Sequence, residues 1–320
     1  MTNLTRISTD IVYDAHPFAR EILSRLLVAG FETVLIGGVV RDGLQAQLQR
    51  DVSFPPNDID IATAALPEEI RRVFHDRPII GVREDFGVLV IIAPDGQTYE
   101  VASFRVESEY DGRWPGKVDL VRDLETDVRR RDLTINGLAA TAEGDVIDLV
   151  GGTEDLANKR VATIGDPAVR FGEDHLRMMR VVRFACRIDG DIDEATGQAV
   201  RNHADAILAI SSERIGNELL RILETPRSAR GVELLDELGL LSHILPELAN
   251  CHGVPQPEEY HPEGDVFVHT VEAMRVADRF VVDPIVKLAI LLHDIGKPIA
   301  LERNEGRNMG GHCAIGSRMV

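Results

Sequence analysis

A chain of 320 residues, 44% hydrophobic and 28% charged, carries apolar material for two or three cores, so two or three domains are expected. Its 53 acidic against 35 basic residues leave a net charge of -18, so whole-molecule attraction for nucleic acid is expected to be weak or absent and such binding to come from local basic clusters. No apolar run approaches the about 18 residues of a membrane span, MTNLTRISTD lacks a secretory apolar core, and Cys186, Cys251 and Cys313 lack CxxC spacing; a cytoplasmic protein without membrane span, disulfide or zinc site is expected.

In chain order the first informative element is TVLIGG, a short aliphatic and β-branched strand running into Gly37 and Gly38, with VVRDGLQAQL behind it patterned as a helix. Glycines let the backbone approach a polyanion, a helix start offers free N–H groups and a positive dipole end, and Arg41 in the first turn adds a guanidinium fork for phosphate oxygens. NDIDIAT follows. Residues two apart on a strand share a face, so Asp58 and Asp60 can hold the same divalent cations. Two carboxylates about 4 Å apart repel by roughly 4 kcal/mol at an effective dielectric near ~20, a cost that bound Mg²⁺ reverses. Strand, glycine turn, helix and acidic strand together give the layout of two-metal nucleotidyl transfer.

TYEVASFR, residues 98 to 105, alternates as a half-buried strand and makes Glu100 a third carboxylate if it neighbours the DIDIA strand. The next stretch, SFRVESEYDGRWPGKVDL, has the Gly and Pro content of a mobile loop, with Arg105, Arg113 and Trp114 available to nucleotide or RNA. RRRDLTINGL sets arginines ahead of Asp132 and Asn136, a group able to clamp a triphosphate and read a ribose hydroxyl. GGTEDLANKRVATIGDP then marks the end of the α/β part, and the pattern beyond it is helical. FGEDHLRMMRVVRFACR places Arg177, Arg180, Arg183 and Arg187 along one helical stripe, while Leu176, Met179, Val182 and Phe184 take other directions.

GGVVRD, DID, RRDLTIN and EDHLRMMRVVRFA, in this order between about residues 30 and 190, resemble the class II nucleotidyltransferase family, which holds the CCA-adding tRNA nucleotidyltransferases and bacterial poly(A) polymerases. The resemblance implies an α+β fold: a head with a mixed sheet and helices over 1–150, an all-α neck and body binding RNA over 151–250, and a partial HD-type helical domain over 251–320. It implies nucleotide binding at Gly37, Gly38, Arg41, Arg130, Arg131 and Asp132, metal at Asp58 and Asp60, and a protein template for the incoming base at Asp174 and Arg177, with Arg180 and Arg183 on the next turns. An aspartate and an arginine three apart would share a helix face and offer an acceptor and donors to a base edge. Leu133 and Gly137 depart from the family's commoner phenylalanine and alanine. The 103–120 stretch resembles the family's flexible loop, which favours completion of the terminal A.

His269, His293 and Asp294 resemble the first ligands of an HD-type metal site, whose last ligand, a later aspartate, lies outside these 320 residues; His312 is open to either a second contact or a surface position. The expected activity is Mg²⁺-dependent addition of C and A from CTP and ATP to the 3′ end of tRNA. The alternatives are a poly(A) polymerase and an HD phosphohydrolase whose first half only captures nucleotide.

Overall fold

The structure, a computed structural model, describes residues 5–49, 59–112, 115–259, 261–280 and 282–320. It divides into two compact units, Met1–Glu173 and Asp174–Val320.

The first unit is built on a seven-stranded mixed sheet. Its strands are β1 (Thr33–Ile36), β2 (Asp60–Thr63), β3 (Ile79–Arg83), β4 (Val88–Ile92), β5 (Thr98–Ser103), β8 (Ala139–Ala140) and β9 (Val146–Ile147), while β6 (Arg105–Tyr110) and β7 (Pro115–Leu120) form a separate hairpin. The sheet order is β3-β4-β5-β2-β1-β8-β9. β2 and β5 are parallel, with Asp60 opposite Glu100; β1 pairs antiparallel with β2, and β4 with β5. Val34, Ile36, Ala62 and Ala64 lie on one face and pack with Phe104, Leu124, Val128 and Ala139. Alternation turns Leu35 and Ile61 to the other face, where both are buried. The small residues at 62, 64 and 139 leave room for the helix Leu124–Arg129, which Asp123 caps by accepting from Thr126 N at 2.8 Å.

Two expectations change here. Where 1–150 is expected for the α/β part, the compact unit runs to Glu173, because residues 151–164 return to the RRD block: Thr134 N donates to Ala162 O, Ile164 N to Asp132 O, and Thr134 Oγ1 to Asp155 Oδ2 at 2.6 Å. Gly137 sits under this segment. A Cβ there would lie 2.9 Å from both Ile164 and Val150, which gives a physical reason for glycine where the family often has alanine. The 103–120 stretch, expected as a loop, is a hairpin with Arg105 opposite Leu120 and Tyr110 opposite Pro115; Arg113 and Trp114 lie outside the described residues.

The second unit is helical, with Arg177–Ile188, Glu194–His203, Ser212–Leu223, Ser228–Glu237, Val266–Arg279 and Pro284–Leu292 as its longer helices. Asp193, Asp265 and Asp283 cap three of them through their carboxylates. The expected boundary at 251 does not divide this unit. Asp278 of Val266–Arg279 accepts from Ser228 Oγ at 2.5 Å and Ala229 N at 3.0 Å, capping Ser228–Glu237, and Lys287 Nζ joins Asp278 at 2.7 Å and Thr225 O at 2.9 Å. These buried polar contacts tie the neck helices to those that follow. Among the described residues no helix is long and apolar enough to cross a membrane, and Cys186, Cys251 and Cys313 are free.

Candidate active site

β1 ends at Ile36 and runs into Gly37, whose φ of +73° lies in the left-handed region that only glycine enters without strain. Its N–H donates to Leu138 O at 2.9 Å, and the helix Gly38–Gln49 starts at the next residue. A Cβ on Gly37 would stand 3.6 Å from Asp60 Oδ2 and 3.6 Å from Arg131 Nη1. The glycine turn, the acidic strand and the RRD block therefore meet at one point of the head. Asp60 opens β2 on its exposed end, and Glu100, also exposed, is its register partner on β5; matched residues of parallel strands share a face, so the two carboxylates stand side by side. Asp58 lies outside the described residues.

Arg41 differs from a fork held out for phosphate. It is buried, with Nη1 donating to Asn136 Oδ1 at 2.5 Å and Nε to Asp42 Oδ1 at 2.9 Å. Asn136 in turn donates from Nδ2 to Asp132 Oδ1 at 3.1 Å, and the same oxygen accepts from Leu133 N at 2.8 Å. Asp132, Asn136 and Arg41 thus form a chain that fixes the RRD block against the glycine-turn helix.

Asp127 lies outside the sequence motifs but at the centre of their arginines. It is 1% exposed and accepts from Arg130 Nη2 at 2.8 Å, Arg131 Nη2 at 3.1 Å and Arg105 N at 3.2 Å. Burial alone would raise its carboxyl; the two guanidiniums outweigh that and hold it below the usual carboxylate range. Glu107 of β6 adds a second counter-charge, accepting from Arg130 Nη1 at 3.0 Å and Arg105 Nε at 2.6 Å, so the hairpin is fastened to the RRD block. Helix spacing was the available signal, since Asp127 stands three and four positions before its arginines.

In the second unit Asp174 does not share a helix face with Arg177. The helix begins at Arg177, and Asp174 lies on the turn before it, where Oδ1 accepts from Leu176 N at 3.1 Å. Its carboxylate is gripped by Arg214, with Nη2–Oδ2 2.7 Å and Nη1–Oδ1 3.3 Å, a two-pronged pair that spacing did not reveal. The arginine stripe on Arg177–Ile188 is as read: Arg177, Arg180, Arg183 and Arg187 are the partly or fully exposed positions and the rest are buried. Arg183 pairs with buried Glu218 at 2.5 Å.

Further along, three imidazoles converge on Asp294, which is buried between His293 and Lys297. His293 Nε2 is 3.0 Å and His269 Nε2 3.8 Å from Oδ2, and His312 Nε2 is 3.5 Å from Oδ1. His312, left open by the sequence, belongs to the cluster. Oδ2 lies 2.6 Å from Lys297 Nζ yet makes no well-directed hydrogen bond. Burial would raise the Asp294 carboxyl, but the neighbouring imidazole and ammonium hold it down to about 2.

The head's strand order, glycine turn and acidic strand define a nucleotidyltransferase fold. Residues 33–162 match the poly A polymerase head domain, and residues 191–251 match the probable RNA and SrmB-binding site of polymerase A. Over these stretches the chain is similar to the class II nucleotidyltransferase family that its four motifs resemble. It is 43% identical over 224 residues to the CCA-adding enzyme of Geobacillus sp. (strain WCH70), an overlap of 70% of this chain and 53% of the relative. It is 38% identical over 227 residues to the CCA-adding enzyme of Bacillus cytotoxicus, covering 71% and 55%. The chain thus spans about half the length of the curated relatives it matches. The crystal structure of the Bacillus stearothermophilus CCA-adding enzyme in complex with CTP superposes with a TM-score of 0.63 at 28% identity, over 94% of this chain and 82% of that one. A tRNA nucleotidyltransferase complexed with a primer tRNA and an incoming ATP analog shares the fold, with a TM-score of 0.61 at 23% identity over 85% and 75%.

Proposed function

We propose that this chain is a tRNA nucleotidyltransferase that adds C and A from CTP and ATP to the 3′ end of tRNA in the cytoplasm, without a nucleic-acid template. The observation that carries the reading is the meeting of Asp60 and Arg131 over the Gly37 turn, each 3.6 Å from where a Cβ would stand. Its support from relatives is the 43% identity to a CCA-adding enzyme.

The head's carboxylates offer oxygen donors only, a set that fits a hard cation, and Mg²⁺ is the proposed ion at Asp58 and Asp60, with Glu100 beside Asp60. Bound there, it would supply charge stabilisation to the departing pyrophosphate and acidity to the attacking hydroxyl. The chain's own groups do the positioning. The backbone at Gly37 and Gly38 admits the triphosphate closely, and the start of Gly38–Gln49 offers free N–H groups to its oxygens. Arg130 and Arg131, aimed by Asp127, complement the phosphate charge, while Arg41 acts through Asn136 to hold Asp132 for the ribose. Base selection falls to Asp174, oriented by Arg214, with Arg177 at the first turn of the next helix. Incubating a tRNA that lacks its CCA end with CTP and ATP tests the reading: growth by three residues and arrest is expected, and long tails from ATP alone would make it a poly(A) polymerase.

A second reading is favoured by the histidine cluster. Imidazole nitrogens with one carboxylate suit a borderline transition metal, so we propose a separate HD-type centre at His269, His293 and Asp294, beyond the transferase head. Loss of Co²⁺ binding in Asp294→Ala, with tRNA extension intact, is the expected outcome.

A further inference from the structure

Each imidazole around Asp294 has its other ring nitrogen committed. His293 Nδ1 lies 2.6 Å from Ile290 O and His312 Nδ1 2.9 Å from Met309 O. A carbonyl oxygen only accepts, so Nδ1 carries a proton in both rings and Nε2 is the atom turned to Asp294. In both cases the acceptor is the carbonyl three residues back, supplied by the local backbone.

His269 has no such carbonyl. It sits early in the helix Val266–Arg279, whose carbonyls serve the helix's own N–H groups. Its Nδ1 lies instead 2.5 Å from Oε1 of Glu263, six residues upstream. That oxygen also lies 3.1 Å from His261 Nδ1, and the two rings meet edge to face at 4.6 Å. Glu263 is thereby held from two sides before the helix starts.

We propose that Glu263 is a positioning residue for the proposed metal centre: by accepting the Nδ1 proton of His269 it leaves the Nε2 lone pair facing His293 and Asp294. The proposal rests on the HD-type reading of that cluster. Glu263 touches His269 and not Asp294, so it acts on the ion only through the ring, as carboxylates behind metal-bound histidines do. His261, Glu263 and His269 also lie close enough to hold a cation themselves. That arrangement would take the Nδ1 lone pair and put the proton on Nε2, facing Asp294, so one neutral ring cannot serve both sites.

The test is a Co²⁺ titration of the whole chain by calorimetry, with excess Mg²⁺ to occupy the oxygen-only site of the head, together with histidine ¹⁵N spectra of the metal-free protein. Glu263→Ala is expected to weaken Co²⁺ by about 10- to 100-fold and to turn one histidine from a single tautomer into a mixture. Glu263→Gln, whose Oε1 still accepts from Nδ1–H, is expected to restore most of the affinity and the single tautomer. Wild-type affinity and an unchanged tautomer in Glu263→Ala, while Asp294→Ala loses the ion, would leave the centre standing and overturn the role of Glu263. Loss of one of two bound ions in Glu263→Gln would overturn it too, by making Glu263 a ligand. Undiminished binding by Asp294→Ala removes the centre itself, a result distinct from both.

Discussion

At the residue scale the head turns on Asp127, a carboxylate shut away from water that pairs with two guanidiniums at once. Removing one member of a buried ion pair leaves the others uncompensated, so Asp127→Asn is expected to cost about 3 kcal/mol, read as a lower denaturant midpoint. The pH dependence has a definite sign. A carboxyl depressed in the folded state contributes stability that is complete above its unfolded pKa of about 3.9 and is lost as pH falls through the lower folded value. The wild type should therefore lose stability below about pH 4 more steeply than Asp127→Asn; parallel acid profiles would contradict the pairing. Side-chain partners were the least legible feature of the sequence. Asp58 and Asp60 stand out by alternation and Gly37 by its turn, but Arg214 comes forty positions after Asp174 and no local spacing links them. The Asp174–Arg177 spacing misled because the helix starts only at Arg177, so a three-residue interval did not translate into a shared face.

Among elements, the strands that bury one face were readable and the hairpin β6–β7 was not. TYEVAS alternates because Tyr99, Val101 and Ser103 are buried, whereas RVESEY is held by ion pairs and cross-strand hydrogen bonds and has no apolar side to produce a period. Helix joints show the same limit. Asp278 and Lys287 fasten Ser228–Glu237 to the helices after residue 260, with Lys287 only 3% exposed. Lys287→Met should leave Asp278 without its counter-ion and lower stability by about 3 kcal/mol, measured by denaturant titration; an unchanged midpoint would show that the joint is held by apolar packing alone.

For the molecule as a whole, the order of motifs was legible and the unit boundaries were not. Four short motifs in order point to the family that the head also matches, while the end of the first unit depends on backbone pairs such as Ile164 N to Asp132 O that leave no mark on composition. With a net charge of -18, the proposed RNA contact has to come from local basic clusters, and the arginine stripe of Arg177–Ile188 is a candidate in the second unit. The central claim is that the carboxylates beside the Gly37 turn carry the transfer step. Its most direct measurement is extension of a CCA-less tRNA by Asp60→Asn, with CTP binding followed in parallel. The account expects extension to fall by at least about 1,000-fold, some 4 kcal/mol of transition-state stabilisation, while the variant stays folded and still binds CTP. Extension within a few fold of the wild type would contradict it.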